Sequence, residues 1–250
     1  MTGLQGLLIV VAGVAAGTIN TVVGSGTLIT FPVLLGIGLP PVTANVSNTV
    51  GLAPGTFVGA YGYRRELVGQ RGRAIRLGTA SALGGAIGAL LLLVLPAGAF
   101  EAVVPVLIGL ALVLVVAGPR LTRWLESTPH AATNSIRPVL WVTTMLTGVY
   151  GGYFGAAQGV ILMAFLELML VETMQRRNAL KNVLSGLVNG VAALVFMLTT
   201  HIDWTAAALI AVGSMLGGLL GARIGRRLQP AVLRAIIVIV GVAALVKLLA

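Results

Sequence analysis

The side chains able to do chemistry without carrying a charge are gathered in two stretches of this chain. Between Gly17 and Gly59 stand Asn20, Ser25, Thr27, Asn45 and Asn48, in a run broken by Gly24, Gly26 and Pro32. Between Gly148 and Ala193 stand Gln158, Asn182 and Asn189, with Lys181 beside them and with Gly155 and Gly159 among the breakers. Amides and hydroxyls offer neutral hydrogen bonds, and interrupted helices expose main-chain N–H groups with partial positive charge, a combination suited to an anion. Residues 1–63 contain no charged side chain, so no carboxylate there can hold a cation.

The rest of the composition says what surrounds these groups. The chain has 250 residues, 58% of them hydrophobic and 9% charged, with a mean hydropathy of +1.04. So few charges cannot cover a water-soluble surface, and the class is a polytopic helical membrane protein. In hydrocarbon, polar side chains and helix breakers are costly unless they line a site. The net charge of +10 then reads as loops facing anionic headgroups rather than as a nucleic-acid surface. There is no cysteine, and the two histidines and six acids are scattered. They give no metal cluster, triad or acid–base pair, so neither an enzyme nor a cofactor is expected. Gly24-Ser25-Gly26-Thr27 follows an apolar run but lacks the GK[ST] of a phosphate-binding loop. The first apolar run has no basic region before it and reads as a retained membrane segment.

Apolar blocks occupy 3–36, 42–62, 74–95, 99–118, 138–171, 179–200, 204–222 and 232–249. Most are near twenty residues, enough for one crossing. Blocks 3–36 and 138–171 would make about 50 Å of helix each, too long for one upright span and short for two. Each has a glycine-rich break, at Gly24-Ser25-Gly26 and from Gly151-Gly152 through Gly155, so each reads as a hairpin of two shortened helices. The blocks form two sets of matching order. Gly17 aligns with Gly148 and Gly24 with Gly155, and after a three-residue shift Asn48 falls on Asn182. The expected organisation is an N-terminal repeat over 1–118, a polar cytoplasmic linker over 119–137 and a C-terminal repeat over 138–250.

Charge sets the orientation. If each long block enters and leaves on one side, then 64–76, 119–137, 172–181 and 223–234 share a side and hold every Lys and Arg except Lys247. If each long block crossed once, the basic residues would split between the two sides, against the positive-inside bias. The expected fold is therefore all-α, with two inverted-topology repeats, each a broken helical hairpin plus three transmembrane helices. Both termini lie outside the cytoplasm in this reading.

Within that frame Asn45, Asn48, Leu52, Gly55 and Gly59 share a helix face, and Asn182, Gly186, Asn189 and Ala193 are the counterpart. Gly55, Gly59, Gly84, Gly88, Gly217 and Gly221 read as close-packing positions. Lys181 either neutralises an anion or, as the more ordinary expectation, snorkels to headgroups. Glu167, inside an apolar block, is expected to pair with Arg176 or Lys181 rather than carry a proton. His201 and Asp203 fall in a short outer turn.

The stretch 17–48, with Gly-x-Ile-Asn-Thr, Gly-Ser-Gly-Thr, Phe-Pro, Leu-Pro-Pro and Ala-Asn-x-x-Asn, resembles the TauE/SafE family of sulfite exporter-type membrane permeases. The likeness covers essentially the whole chain. It implies an inner-membrane secondary transporter moving sulfite, organosulfonates or related small anions, often outward. Asn20, Gly24, Gly26, Asn45 and Asn48 match the family's first motif, and Gly155, Gly159 and Asn182 its second. Members often carry longer glycine runs at both places, and here Gln158 stands at the second tip. Uptake, another small carboxylate or a neutral solute remains an alternative cargo reading, and a non-transporting membrane anchor with an Arg-rich face is one of a different class. The expected partners are a small anion and the bilayer, with no nucleic acid, and a homo-oligomer is left open.

Overall fold

The computed structural model describes residues 1–127, 138–224 and 230–249. Their regular structure is all helix, with no strand among them: α1 (Gly3–Val22), α2 (Thr27–Gly36), α3 (Pro41–Gly62), α4 (Arg71–Val94), α5 (Ala97–Ser127), α6 (Pro138–Tyr153), α7 (Gln158–Met169), α8 (Met174–Thr199), α9 (Trp204–Ile224) and α10 (Pro230–Leu249). Five described spans are both long and apolar enough to cross a membrane: α1, α4, the Ala97–Gly118 part of α5, α8 and α9. α3 is as long but more polar, and its Asn45, Ser47, Asn48 and Thr49 are all buried. Its polar face is thus sheltered by protein rather than offered to lipid.

Both long blocks break into hairpins for the same local reason. At the end of α1 the N–H groups of Val23 and Gly24 both donate to the Ile19 carbonyl, at 2.7 and 3.0 Å. At the end of α6 those of Phe154 and Gly155 both donate to the Tyr150 carbonyl, at 2.9 and 3.1 Å. Gly24 has φ +91° and Gly155 φ +79°, a left-handed turn in which any side chain is strained. The helices that follow, α2 and α7, have 10 and 12 residues, about 15 and 18 Å, half a crossing each. The second break corrects the expectation in one detail. Gly151 and Gly152 stay inside α6, and the chain turns only at 154–157. A Cβ on Gly152 would lie 2.2 Å from the Gly85 carbonyl oxygen, so that glycine is needed for helix packing.

The same is true of the other packing glycines. A Cβ at Gly55, Gly59, Gly84, Gly88, Gly217 or Gly221 would lie between 2.0 and 2.9 Å from an atom of a neighbouring helix. Close approach of backbones is how helices gain contact in lipid, where no hydrophobic drive brings them together. α1 packs on α9 and α6 on α4, α3 packs on α1 and α9, α8 on α4 and α6, and α3 and α8 on each other. Contacts advance together along α1 and α9 (Gly13 on Ile210, Gly17 on Ser214), along α3 and α9 (Gly51 on Ile210, Gly62 on Ala222) and along α4 and α6 (Gly84 on Met145, Gly88 on Val149). Those pairs are parallel. α3 and α8 are antiparallel, with Thr56 bonded to Asn189 and Tyr63 clustered with Ala179. α5 runs on to Ser127, so 119–127 of the expected linker is helix, and 128–137 lies outside the described residues.

Candidate functional site

The tips of the two hairpins touch. The Gly159 N–H, in the first turn of α7, donates to the Gly24 carbonyl at 2.9 Å. A Cβ on either glycine would lie 2.4 Å from the other's Cα. Gly24, Ser25, Gly26 and Thr27 of one tip are buried, as are Gln158 and Gly159 of the other. Two buried polar atoms here have no hydrogen-bond partner: Ser25 Oγ and Gln158 Nε2. The Gln158 side chain lies over Gly151, where a Cβ would meet its carboxamide at 2.4 Å.

Polar side chains of α3 close around the junction. Asn48 Nδ2 donates to Thr27 Oγ1 at 3.3 Å, and Thr30 Oγ1 donates to Asn48 Oδ1, tying α3 to α2. Asn45 Nδ2 donates to the Tyr153 carbonyl at 2.9 Å, at the last residue of α6. Asn20 Nδ2 and Asn189 Nδ2 both donate to Thr56 Oγ1, at 3.0 and 3.3 Å, which links α1, α3 and α8. On the other flank Lys181 Nζ donates to the carbonyls of Asn20 and Thr21, at 3.0 and 3.2 Å. Asn182 Nδ2 and Asn178 Nδ2 each donate to the Thr21 carbonyl at 3.2 Å. Asn20 therefore joins the two flanks, through its amide on one side and its carbonyl on the other.

Asn45 and Asn48 thus bond at the hairpin ends, Lys181 and Asn182 bond the last turn of α1, and Asn189 is linked only through Thr56 to Asn20. One expectation fails. Lys181 does not snorkel: it is fully buried. Arg176 pairs with Glu172 at 2.6 Å, and Lys181 Nζ bonds the main-chain carbonyls of Asn20 and Thr21. Asp203 is not idle in its turn. Its Oδ1 accepts from the Ala206 N–H at 2.9 Å at the start of α9, and its own N–H donates to Ser47 Oγ at 3.0 Å.

Sequence reasoning missed Thr30, Thr56 and Asn178. The signal for Asn178 was its position three residues before Lys181 and four before Asn182, one helical turn along the same face. It was lost because the apolar block begins at 179, whereas the helix begins at Met174 with Thr173 as its cap, whose side chain accepts from the Arg176 N–H. An apolar cavity of about 500 Å³ between α3 and α8, lined by Val50, Phe57, Gly190, Leu194 and Met197, carries no polar side chain among its lining residues. It offers an anion nothing.

The family model "Sulfite exporter TauE/SafE" matches residues 9–248. The chain belongs to the TauE/SafE family. It is 27% identical over 250 residues to the "Probable membrane transporter protein YfcA" of Escherichia coli K12, covering 98% of this chain and 90% of that protein. It is 26% identical over 244 residues to the "Probable membrane transporter protein ORF9" of a Sinorhizobium species, covering 96% and 90%. A Haemophilus influenzae "Probable membrane transporter protein" matches at 27% over 206 residues, 82% of this chain and 79% of that one. As a TauE/SafE member of helical, multi-pass build, the protein is a membrane transporter.

Proposed function

We propose that this TauE/SafE protein is a secondary transporter that exports a small sulfur-containing oxyanion, sulfite or an organosulfonate, across the inner membrane. The observation that carries the reading is the meeting of two half-length hairpins, Gly159 N–H on Gly24 carbonyl, among buried neutral donors. Half-crossing helices that meet at membrane depth are the architecture of secondary transporters, with the substrate at the interface of two repeats. The family's description, sulfite exporter, supports both the cargo and the direction. With a negative cell interior, an anion moving outward gains about 2.3 kcal/mol per charge per 100 mV.

The same reading makes the halves inverted repeats. Arg176 Nη1 donates to the Val68 carbonyl at 3.0 Å and Gln70 Nε2 to the Arg176 carbonyl at 3.1 Å, so the α3–α4 and α7–α8 connections lie at one end. Ser47, near the start of α3, takes the N–H of Asp203 at the other end. The α3–α4 connection and its repeat counterpart, the α8–α9 connection, therefore stand at opposite ends, as inversion requires. The positive-inside bias then assigns the Arg-rich end to the cytoplasm.

Flux in proteoliposomes tests the proposal. Sulfite or methanesulfonate is expected to cross faster than in empty vesicles, and Asn48→Ala is expected to slow it by about tenfold or more, since it removes the bonds to Thr27 and Thr30 that set the first tip. Anion flux equal to that of empty vesicles sinks the cargo assignment.

A further inference from the structure

Asn178, Lys181 and Asn182 share one face of α8 and converge on the last turn of α1. Three donors, Lys181 Nζ, Asn178 Nδ2 and Asn182 Nδ2, all reach the Thr21 carbonyl at 3.2 Å. A carbonyl oxygen has two lone pairs, while an ammonium carries three N–H donors and each carboxamide two. Lys181 Nζ has a second acceptor in the Asn20 carbonyl at 3.0 Å, and the buried Asn178 Oδ1 accepts from no donor. What the cluster lacks is an opposite charge for the buried ammonium, since every acceptor it meets is a neutral carbonyl. One turn farther along this face Ser185 is also buried, with its Oγ unpartnered.

Charge sharpens the point. Lys181 is fully buried, and among the described residues no other buried side chain is charged. A cation held in a low-dielectric interior on neutral acceptors is costly, and one arriving counter-charge relieves that cost. A second negative charge on the same ligand would recreate the problem with the opposite sign. The first half has nothing equivalent. Residues 1–63, which supply the first hairpin and α3, hold no charged side chain at all.

The geometry points to a headgroup site for a single negative charge on this face of α8, in which Lys181 selects monoanions over dianions while Asn178 and Asn182 hold the oxygens. The ligand class is a monoanionic oxyanion head, such as a sulfonate, hydrogen sulfite or a carboxylate. The inference rests on the transport reading above and adds to it which residues choose the cargo and by what property.

The test uses the full-length protein, in detergent for binding and in proteoliposomes for flux, with methanesulfonate as monoanion, sulfate as dianion and dimethyl sulfone as neutral isostere. Wild type is expected to bind methanesulfonate at least about tenfold more tightly than sulfate. Lys181→Met is expected to lose that preference, and Lys181→Arg to keep it. Asn178→Asp supplies a counter-charge in place, so it is expected to abolish methanesulfonate binding without lowering the melting midpoint. That variant decides the matter if Lys181→Met fails to fold. If Lys181 merely caps the negative end of α1, Lys181→Met melts earlier but keeps the monoanion preference, which overturns the inference. Wild-type sulfate binding as tight as methanesulfonate binding, or unchanged methanesulfonate binding by Asn178→Asp, overturns it as well. Methanesulfonate binding without flux supports the site and counts against the transport reading. Flux with the preference intact in Lys181→Met does the reverse.

Discussion

Glu172 joins two connections that the chain sequence keeps a hundred residues apart. It pairs with Arg73 at the start of α4 and with Arg176 at 2.6 Å at the start of α8. Burial alone would push its carboxyl up, but the hydrogen bonds and charges of Arg176 and Arg73 outweigh that and hold it below the usual carboxylate range. A carboxylate with a depressed folded-state pKa stabilises the fold above its unfolded pKa, near 4, and loses that contribution as pH falls through the folded value. Glu172→Gln should therefore lower the melting midpoint at neutral pH by an amount worth up to about 1 kcal/mol, as expected for a partly exposed pair. It should make little difference in strong acid. Melting curves of the two proteins that stay equally far apart from neutral pH to strong acid would contradict this. Charges of this kind are hard to read from sequence, because spacing alone does not say that Arg73, a hundred residues away, meets the same carboxylate as Arg176. Lys181 was misjudged for a related reason. Its position near a helix start suggested access to headgroups, whereas it is buried with its Nζ on the carbonyls of the last turn of α1. The amides were more legible, since an Asn in an apolar run must find a partner. Which partner depended on tertiary contacts: Asn45 bonds the last carbonyl of α6 and Asn178 the Thr21 carbonyl of α1, so each half caps the other's first helix.

At the scale of elements, the two hairpins were legible because length and glycine spacing both betray them. Thirty-odd apolar residues do not fit one crossing, and a left-handed turn needs glycine at one position. The exact turn in the second hairpin was not legible, since Gly151 and Gly152 look like breakers and serve instead as packing surface, Gly152 for α4 and Gly151 for the Gln158 side chain. The tip contact yields a sharp expectation. In Gly159→Ala the new Cβ would lie 2.4 Å from Gly24 Cα, and neither backbone can yield without moving a whole tip. Gly109→Ala, in α5, meets nothing within 4 Å and exchanges a poor helix former for a good one. Gly159→Ala should abolish flux while the protein still inserts, whereas Gly109→Ala should keep full flux and gain about 0.5–1 kcal/mol of stability. Normal flux in Gly159→Ala would mean that the tips need not touch during transport.

For the whole molecule, the arrangement depends on which ends of the bundle face which compartment, and the cysteine-free chain makes that measurable without background. Val68, in the α3–α4 connection, and Met174, at the start of α8, are exposed at the end where Arg176 bonds the Val68 carbonyl. His201 is exposed in the connection bonded near the start of α3, at the far end. Single cysteines placed at Val68 and Met174 should therefore react with a membrane-impermeant thiol reagent only when the cytoplasmic face is opened. One at His201 should react in intact cells. The pairing of Val68 with Met174 tests the inversion, because two halves of equal orientation would send the α7–α8 connection to the side opposite the α3–α4 connection. The contrast with His201 tests the sidedness drawn from the basic residues. If Val68 and Met174 label from opposite sides, the hairpins enter the membrane from one face and the broken helices no longer approach each other head-on. The anion path between them would then lose its geometric basis, even with every local hydrogen bond intact.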